Sequence, residues 1–128
     1  TIRTAMQRIT LAYRMDEVEV HLARQVQGIT ANWTHSQDAT HCLMTGSMAK
    51  RRGLAFGCVH DSFWSLAEDI DELNKISREQ FVQLYSGDPI AELAAYWRKH
   101  WPGVALPDPP ARGRLDIQDV RSSTYFFS

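Results

Sequence analysis

Two short apolar runs, residues 54–59 and 63–66, are separated by His60-Asp61-Ser62 alone. A polar tripeptide in an otherwise apolar stretch of this length predicts a tight strand–turn–strand unit. The rest of the chain is arranged around it. On the carboxy-terminal side, Glu68, Asp69, Asp71 and Glu72 load the first turns of a helix with negative charge, where the helix dipole favours it. The apolar stripe of that helix runs through Ile70, Leu73, Ile76, Phe81, Leu84 and Tyr85, and Ser86-Gly87 closes it. Asp88-Pro89 then reads as a cap followed by proline at the first helical position. Ile90, Leu93, Ala94 and Trp97 mark the core face of the helix so started. Pro102, Pro107, Pro109 and Pro110 disfavour regular structure beyond it, and one last helical turn is expected over 116–120.

On the amino-terminal side, Gln7, Ile9, Leu11 and Tyr13 alternate with polar or small residues, as do Val18, Val20 and Leu22 after Arg14-Met15-Asp16. That period of two predicts a β-hairpin; helical spacing of Ala5, Ile9 and Ala12 is the competing reading. The pattern lapses from 24 to 34, where Gly28 suits a turn. A helix capped by Thr34 or Ser36 and ending near Arg51 follows, with Ala39, Leu43 and Met44 on its apolar side and Gly46 permitting close backbone approach. Lys50-Arg51-Arg52-Gly53 supplies a basic last turn and a C-cap. The fold class expected is α+β, with a buried apolar hairpin surrounded by helices.

Composition excludes more than it selects. The 128 residues suit one modest domain, and 44% hydrophobic with 23% charged residues is an ordinary globular balance. Fourteen basic against fifteen acidic residues exclude a generally basic nucleic-acid coat. No apolar run approaches the roughly 20 residues of a membrane span, so no membrane partner is expected. Thr1-Ile2-Arg3 does not open a secretory h-region, and a first residue other than Met is expected of a processed product or a piece of a longer chain. Two cysteines, Cys42 and Cys58, are too few for a disulfide framework and are compatible with a reducing compartment.

Several positions carry possible chemistry, each beside a plainer reading. Asp61 at a tight turn is a rigid, exposed carboxylate of the kind a divalent metal needs, although Asp also serves turn geometry for its own sake. Asn32-Trp33-Thr34-His35-Ser36-Gln37-Asp38 places hydrogen-bonding groups where a helix start would favour anions; taken alone, ordinary capping is the better reading. Asp38, His41 and Cys42 lie within one helical turn, but without further ligands at zinc spacing a satisfied buried histidine is the better reading. Cys58 and His60 suggest a thiol–imidazole pair, against a merely packed strand cysteine. Trp33, Trp64, Trp97 and Trp101 are of the type that stacks on bases, and Lys50-Arg51-Arg52 of the type that meets phosphates.

Taken in order, these segments resemble the single-subunit DNA-dependent RNA polymerases of bacteriophages, mitochondria, chloroplasts and linear plasmids. The resemblance rests on 32–38, on Val59-His60-Asp61-Ser62-Phe63 and on the terminal Tyr125-Phe126-Phe127-Ser128. Arg24-Gln25 with Gly28, Arg78-Glu79-Gln80-Phe81-Val82 and Arg112-Gly113-Arg114-Leu115-Asp116-Ile117 add to it. Ala31 and Trp33 depart from it, standing where the family usually has Pro and Phe. It implies that residues 1–128 are the carboxy-terminal part of the catalytic domain, from the palm with adjoining fingers elements. Asp61 would be one of two catalytic aspartates holding two Mg2+ ions for nucleotidyl transfer. His35 would lie beside the primer end and incoming nucleotide, His60 and Ser62 would support the metal-binding turn, and Phe127 and Ser128 would pack near the site.

The implied partners are a DNA template, the RNA product, nucleoside triphosphates and the remaining polymerase chain. The implied location is the mitochondrial matrix, with a phage-infected cell or a cytoplasmic plasmid as alternatives. The second aspartate and the Lys/Tyr nucleotide-binding helix have no counterpart here, so the isolated chain is expected to be inactive. A piece of a polymerase I-like DNA polymerase is the nearest rival, although there Glu usually follows the His-Asp pair. A stand-alone, non-catalytic interaction module is the rival of another class.

Overall fold

The computed structural model describes residues 2–3, 8–9 and 19–126, and the chain divides into two compact units, residues 1–33 and 34–128. In the first unit, β1 (Ile2–Arg3) pairs antiparallel with β2 (Arg8–Ile9), with Ile2 opposite Ile9 and Arg3 opposite Arg8. The amino-terminal hairpin expected across 7–22 is thus displaced: its first run contributes β2, but the partner strand precedes it. Most of the intervening stretch lies outside the described residues. Leu22, expected in a strand, instead opens helix α1 (Leu22–Arg51).

Helix α1 overturns the expected break. At 30 residues it extends for about 45 Å, running through Gly28 and the whole of 32–38. Leu, Ala, Arg and Gln at its start are strong helix formers, enough to offset the roughly 1 kcal/mol that one interior glycine costs. The expected apolar face also shifts. Leu43 is 74% exposed, and the buried line is instead His41, Thr45 and Ala49, spaced four residues apart. His41 can turn inward because its ring nitrogen meets the Ser77 carbonyl, which hydrophobicity alone does not register.

The end of α1 follows its sequence closely. Gly53 has φ of 75°, its N–H donates to the Lys50 carbonyl, and the Leu54 N–H donates to the Ala49 carbonyl. Those paired bonds make a Schellman cap, for which glycine is the favoured residue because it lacks a Cβ. The chain then enters β3 (Gly57–Val59) and returns in β4 (Ser62–Trp64), with Gly57 opposite Trp64, Cys58 opposite Phe63 and Val59 opposite Ser62. The expected strand–turn–strand unit is therefore present, with a two-residue turn of His60 and Asp61. It is less buried than expected: Val59 and Trp64 are more than half exposed, and in the strands only Phe63 is half-buried. Two three-residue strands cannot bury both faces when helices approach from one side.

A 3₁₀ turn, Ala67–Asp69, leads into α2 (Ile70–Ser86), with Asp71 and Glu72 in its first turn. Leu73 and Ile76 are buried as expected, together with Ser77, Gln80 and Val82, while Ile70 remains about half exposed. Asp88 caps α3 (Pro89–His100) by accepting a 3.0 Å bond from the Ala91 N–H. No residue of α3 is fully buried; Leu93, Ala94 and Trp97 are half-buried. The proline-rich stretch is irregular, and a second 3₁₀ turn, Ile117–Arg121, is capped by Asp116 and packs on α2. The α+β class holds, and its core is Ala49, Leu73, Ile76 and Val82 with four buried polar residues among them.

Candidate active site at the β3–β4 turn

The β3–β4 turn is short because the strands pair up to Val59 and Ser62, leaving two residues to reverse the chain. His60 takes φ of 53°, a left-handed conformation in which His is more tolerated than most side chains. This places Asp61 at the apex, exposed to solvent. Its side chain enters no hydrogen bond or ion pair among the described residues. A cavity of about 370 Å3 opens beside it, lined on the hairpin by Asp61, Ser62 and Phe63 and on α2 by Ile70, Leu73, Asn74 and Ser77. The Ser77 hydroxyl is buried there without a hydrogen-bond partner among the described residues. Nothing in the sequence singled out Ser77 or Asn74, because small polar residues on a helix read as surface.

Below the turn, Phe63 anchors the hairpin. Its ring lies 5.5 Å from Phe56 and 5.9 Å from the His41 ring. His41 is 4% exposed, and its Nε2–H donates to the Ser77 carbonyl at 2.8 Å, which fixes the tautomer. Phe81 and Phe126 pack edge-on against the same imidazole at 5.6 and 6.5 Å. Burial holds the His41 pKa below its ordinary value, and the Ser77 bond and the Asp38 carboxylate pull it back only in part. His41 is therefore the satisfied buried histidine expected, and it joins α1, the hairpin, α2 and the tail at one point.

Gly46 explains how closely α1 and the hairpin approach. A Cβ there would sit 2.8 Å from the Phe56 ring, so only glycine admits it. One turn earlier on α1, Cys42 lies beside Cys58 of β3, and burial first, then the neighbouring Cys58 thiol, pushes Cys42 up to about 11. Cys58 is exposed and neighbours Cys42, so neither the packed cysteine expected nor the alternative pairing with His60 describes it. At the other end of the contact Arg52 pairs with Glu72 and, at 3.6 Å, with Glu79, so the basic turn is tied to α2.

His35 lies exposed on α1, within the helix and not at a helix start. The anion-binding expectation for 32–38 fails for that reason: N–H groups inside a helix are already bonded to carbonyls four residues back. No hydrogen bond, ion pair or ring contact joins His35 to the turn among the described residues. Phe127 and Ser128 lie outside the described residues. Of the tryptophans proposed for stacking, Trp64 and Trp101 are about half exposed, and Trp33 and Trp97 are half-buried.

Residues 1–105 match the family described as DNA-dependent RNA polymerase. The chain is 39% identical over 127 residues to DNA-directed RNA polymerase 1A of Nicotiana tabacum, covering 99% of this chain and 81% of that protein. It is similarly 39% identical to the mitochondrial DNA-directed RNA polymerase 1 of Arabidopsis thaliana, covering 99% of this chain and 13% of that one. The chloroplastic/mitochondrial DNA-directed RNA polymerase 2 of the same plant is 40% identical, with 12% of it covered. The chain belongs to the DNA-dependent RNA polymerase family. It spans about an eighth of the two Arabidopsis polymerases.

Within this polymerase chain Arg78 has a role the sequence did not disclose. Its Nη1 donates to the carbonyls of Val120 and Ser123 and to the Ser123 hydroxyl at 2.7–2.9 Å, and its Nε donates to Asn74. The guanidinium also stands 5.1 Å over the Phe126 ring. One amino group, braced through Nε on Asn74, thus fastens the carboxy-terminal segment to α2. Arg78→Ala is expected to cost about 2 kcal/mol and to speed amide exchange across 117–126. Arg78→Lys should not restore protection, because a single ammonium on a flexible stem cannot hold the Asn74 contact and the tail carbonyls together. Hydrogen exchange by mass spectrometry checks both; unchanged protection in Arg78→Ala would refute the clamp.

Proposed function

We propose that this chain is the carboxy-terminal part of a single-subunit RNA polymerase catalytic domain, and that Asp61 supplies one of its two catalytic carboxylates. The observation that carries the reading is the exposed, unpaired Asp61 at the apex of a two-residue turn, in a chain belonging to this family. A short hairpin pinned through Phe63 and Phe56 holds that carboxylate out from the fold with little freedom to move. Hard carboxylate oxygen is the donor magnesium prefers, and magnesium sites commonly use only one or two protein carboxylates besides substrate phosphates. Among the described residues no cluster of three acidic, His or Cys side chains surrounds Asp61. The donor set therefore fits half of a two-ion site, with the second carboxylate belonging to the rest of the polymerase. When bound, magnesium supplies charge stabilisation and activation of the attacking hydroxyl. The protein's part is to aim Asp61 into open solvent and support it through His60 and Ser62.

Helix–strand register supports a role for His35. Gly46 meets Phe56 and Cys42 meets Cys58, so α1 and β3 run in opposite directions along this contact. His35, Cys42 and Gly46 share a helix face. From Gly46 toward His35 along α1, and from Phe56 toward the His60–Asp61 turn along the hairpin, the two elements run the same way. His35 and the turn therefore lie toward the same end of this contact, as a group beside the primer end would need to. DNA template, RNA product, nucleoside triphosphates and the remaining polymerase chain follow as partners. The organellar relatives favour a mitochondrial or chloroplast location, and no described helix is long and apolar enough to cross a membrane.

The test is template-directed incorporation by the complete polymerase that carries this chain. Ribonucleotide incorporation that a chelator abolishes and magnesium restores is expected. Preference for deoxyribonucleotides would favour the DNA-polymerase alternative, and incorporation of neither would leave the interaction module.

A further inference from the structure

We propose that Cys42 and Cys58 form a reversible intramolecular disulfide that fastens the β3–β4 hairpin to helix α1. The argument is one of register. Cys42 and Gly46 are four residues apart and share a line along α1; Phe56 and Cys58 are two apart and share a face of the extended segment leading into β3. Gly46 lies so close to the Phe56 ring that a Cβ would reach it at 2.8 Å. One helical turn and one strand dipeptide are nearly equal in length, so contact at 46 and 56 brings 42 and 58 together. The two thiols are accordingly neighbours, close enough for Cys58 to act on the Cys42 thiol, and both cysteines are free. Two elements distant in sequence thus present facing sulfurs just before the Asp61 turn.

The two thiols differ in access. Cys58 is exposed and Cys42 half-buried, so a peroxide meets Cys58 first. The Cys58 thiolate attacks the peroxide, forming an S–O bond, breaking the O–O bond and releasing hydroxide. Cys42 sulfur then attacks the sulfenic sulfur, the S–S bond forms, the S–O bond breaks, and the departing hydroxide leaves as water with the Cys42 proton. Overall the two sulfurs lose two electrons and two protons, and the peroxide is reduced to water. Burial raises the pKa of the closing thiol to about 11, so closure quickens as pH rises. A dithiol reverses the step by exchange. The sulfur chemistry does not depend on the proposed function; only its consequence, a catalytic hairpin held rigid under oxidation, rests on that reading.

The experiment treats the reduced chain with hydrogen peroxide, blocks remaining thiols with a maleimide, and maps non-reduced peptides by mass spectrometry. Expected is a monomer in which the Cys42 and Cys58 peptides are joined with loss of two hydrogens, separated again by dithiothreitol. Cys42→Ser should lose the internal link and carry Cys58 as sulfenic or higher acid. Cys58 over-oxidised while Cys42 is still blocked by maleimide, links between copies only, or both thiols fully blocked would each overturn the proposal. No outcome depends on RNA synthesis, so failure here leaves the polymerase reading standing, and the reverse holds too.

Discussion

Asp61→Asn in the complete polymerase is expected to lower RNA synthesis by a factor of about a thousand or more, while template binding and thermal stability stay near wild type. The size follows from the chemistry. A carboxylate that holds a divalent ion contributes several kcal/mol of charge stabilisation to phosphoryl transfer, and each 1.4 kcal/mol or so is tenfold in rate. The neutral amide keeps the shape and loses the charge. The separation from stability follows from the structure: Asp61 is exposed and the hairpin is held by Phe63, Phe56 and the strand ladder, not by the carboxylate. Surface changes of this kind stay within about 0.5 kcal/mol. Single-turnover incorporation on a preformed template–primer, with a parallel melting curve, reads both quantities. Synthesis retained at wild-type rate would remove Asp61 from the catalytic centre.

The largest effect on stability is expected at His41. His41→Ala removes a nearly buried ring from among Phe63, Phe81 and Phe126 and should cost about 3 kcal/mol, in the range of large-to-small core substitutions. His41→Phe refills most of that volume and loses the bond to the Ser77 carbonyl, so about 1 kcal/mol is expected. The Ser77 carbonyl lies within α2 and keeps its own helical partner, so its loss is not that of an orphaned group.

The same residue sets an acid dependence. Burial lowers the His41 pKa in the fold, so the unfolded chain binds the proton more readily. Its contribution is complete above about pH 6.5 and declines as pH falls below that, levelling off once the folded histidine also protonates. Asp38, one turn earlier on α1, opposes the shift without cancelling it. Urea unfolding of the chain at a series of pH values measures both effects, and His41→Phe should flatten the acid slope. An unchanged slope in that variant would assign the titration to another group.

These residues also divide what was legible in the sequence from what was not. Asp88-Pro89 start α3 and Gly53 ends α1 because capping is a local matter, decided by one side chain or one missing Cβ within a few residues. The hairpin around His60-Asp61 was legible for a similar reason: a short polar break between apolar runs allows few other paths. The start of α1 was not, since alternation through Val18, Val20 and Leu22 imitates a strand while the helix-forming residues after it carry no strong apolar stripe. Nor was its inner face, because Leu43 is the more hydrophobic residue and yet His41, Thr45 and Ala49 turn inward. That choice depends on where Ser77 and the three phenylalanines stand, far away in sequence.

The sequence by itself determined the class of the protein, the turn that presents Asp61, the end of α1 and the start of α3, all of which depend on neighbours along the chain. Tertiary structure alone decided that His41 is buried and neutral-leaning, that Arg78 clamps the tail and that Cys42 faces Cys58. Each of those pairs residues brought together by helix–strand or helix–tail packing, and no periodicity read along one segment can specify its partner in another.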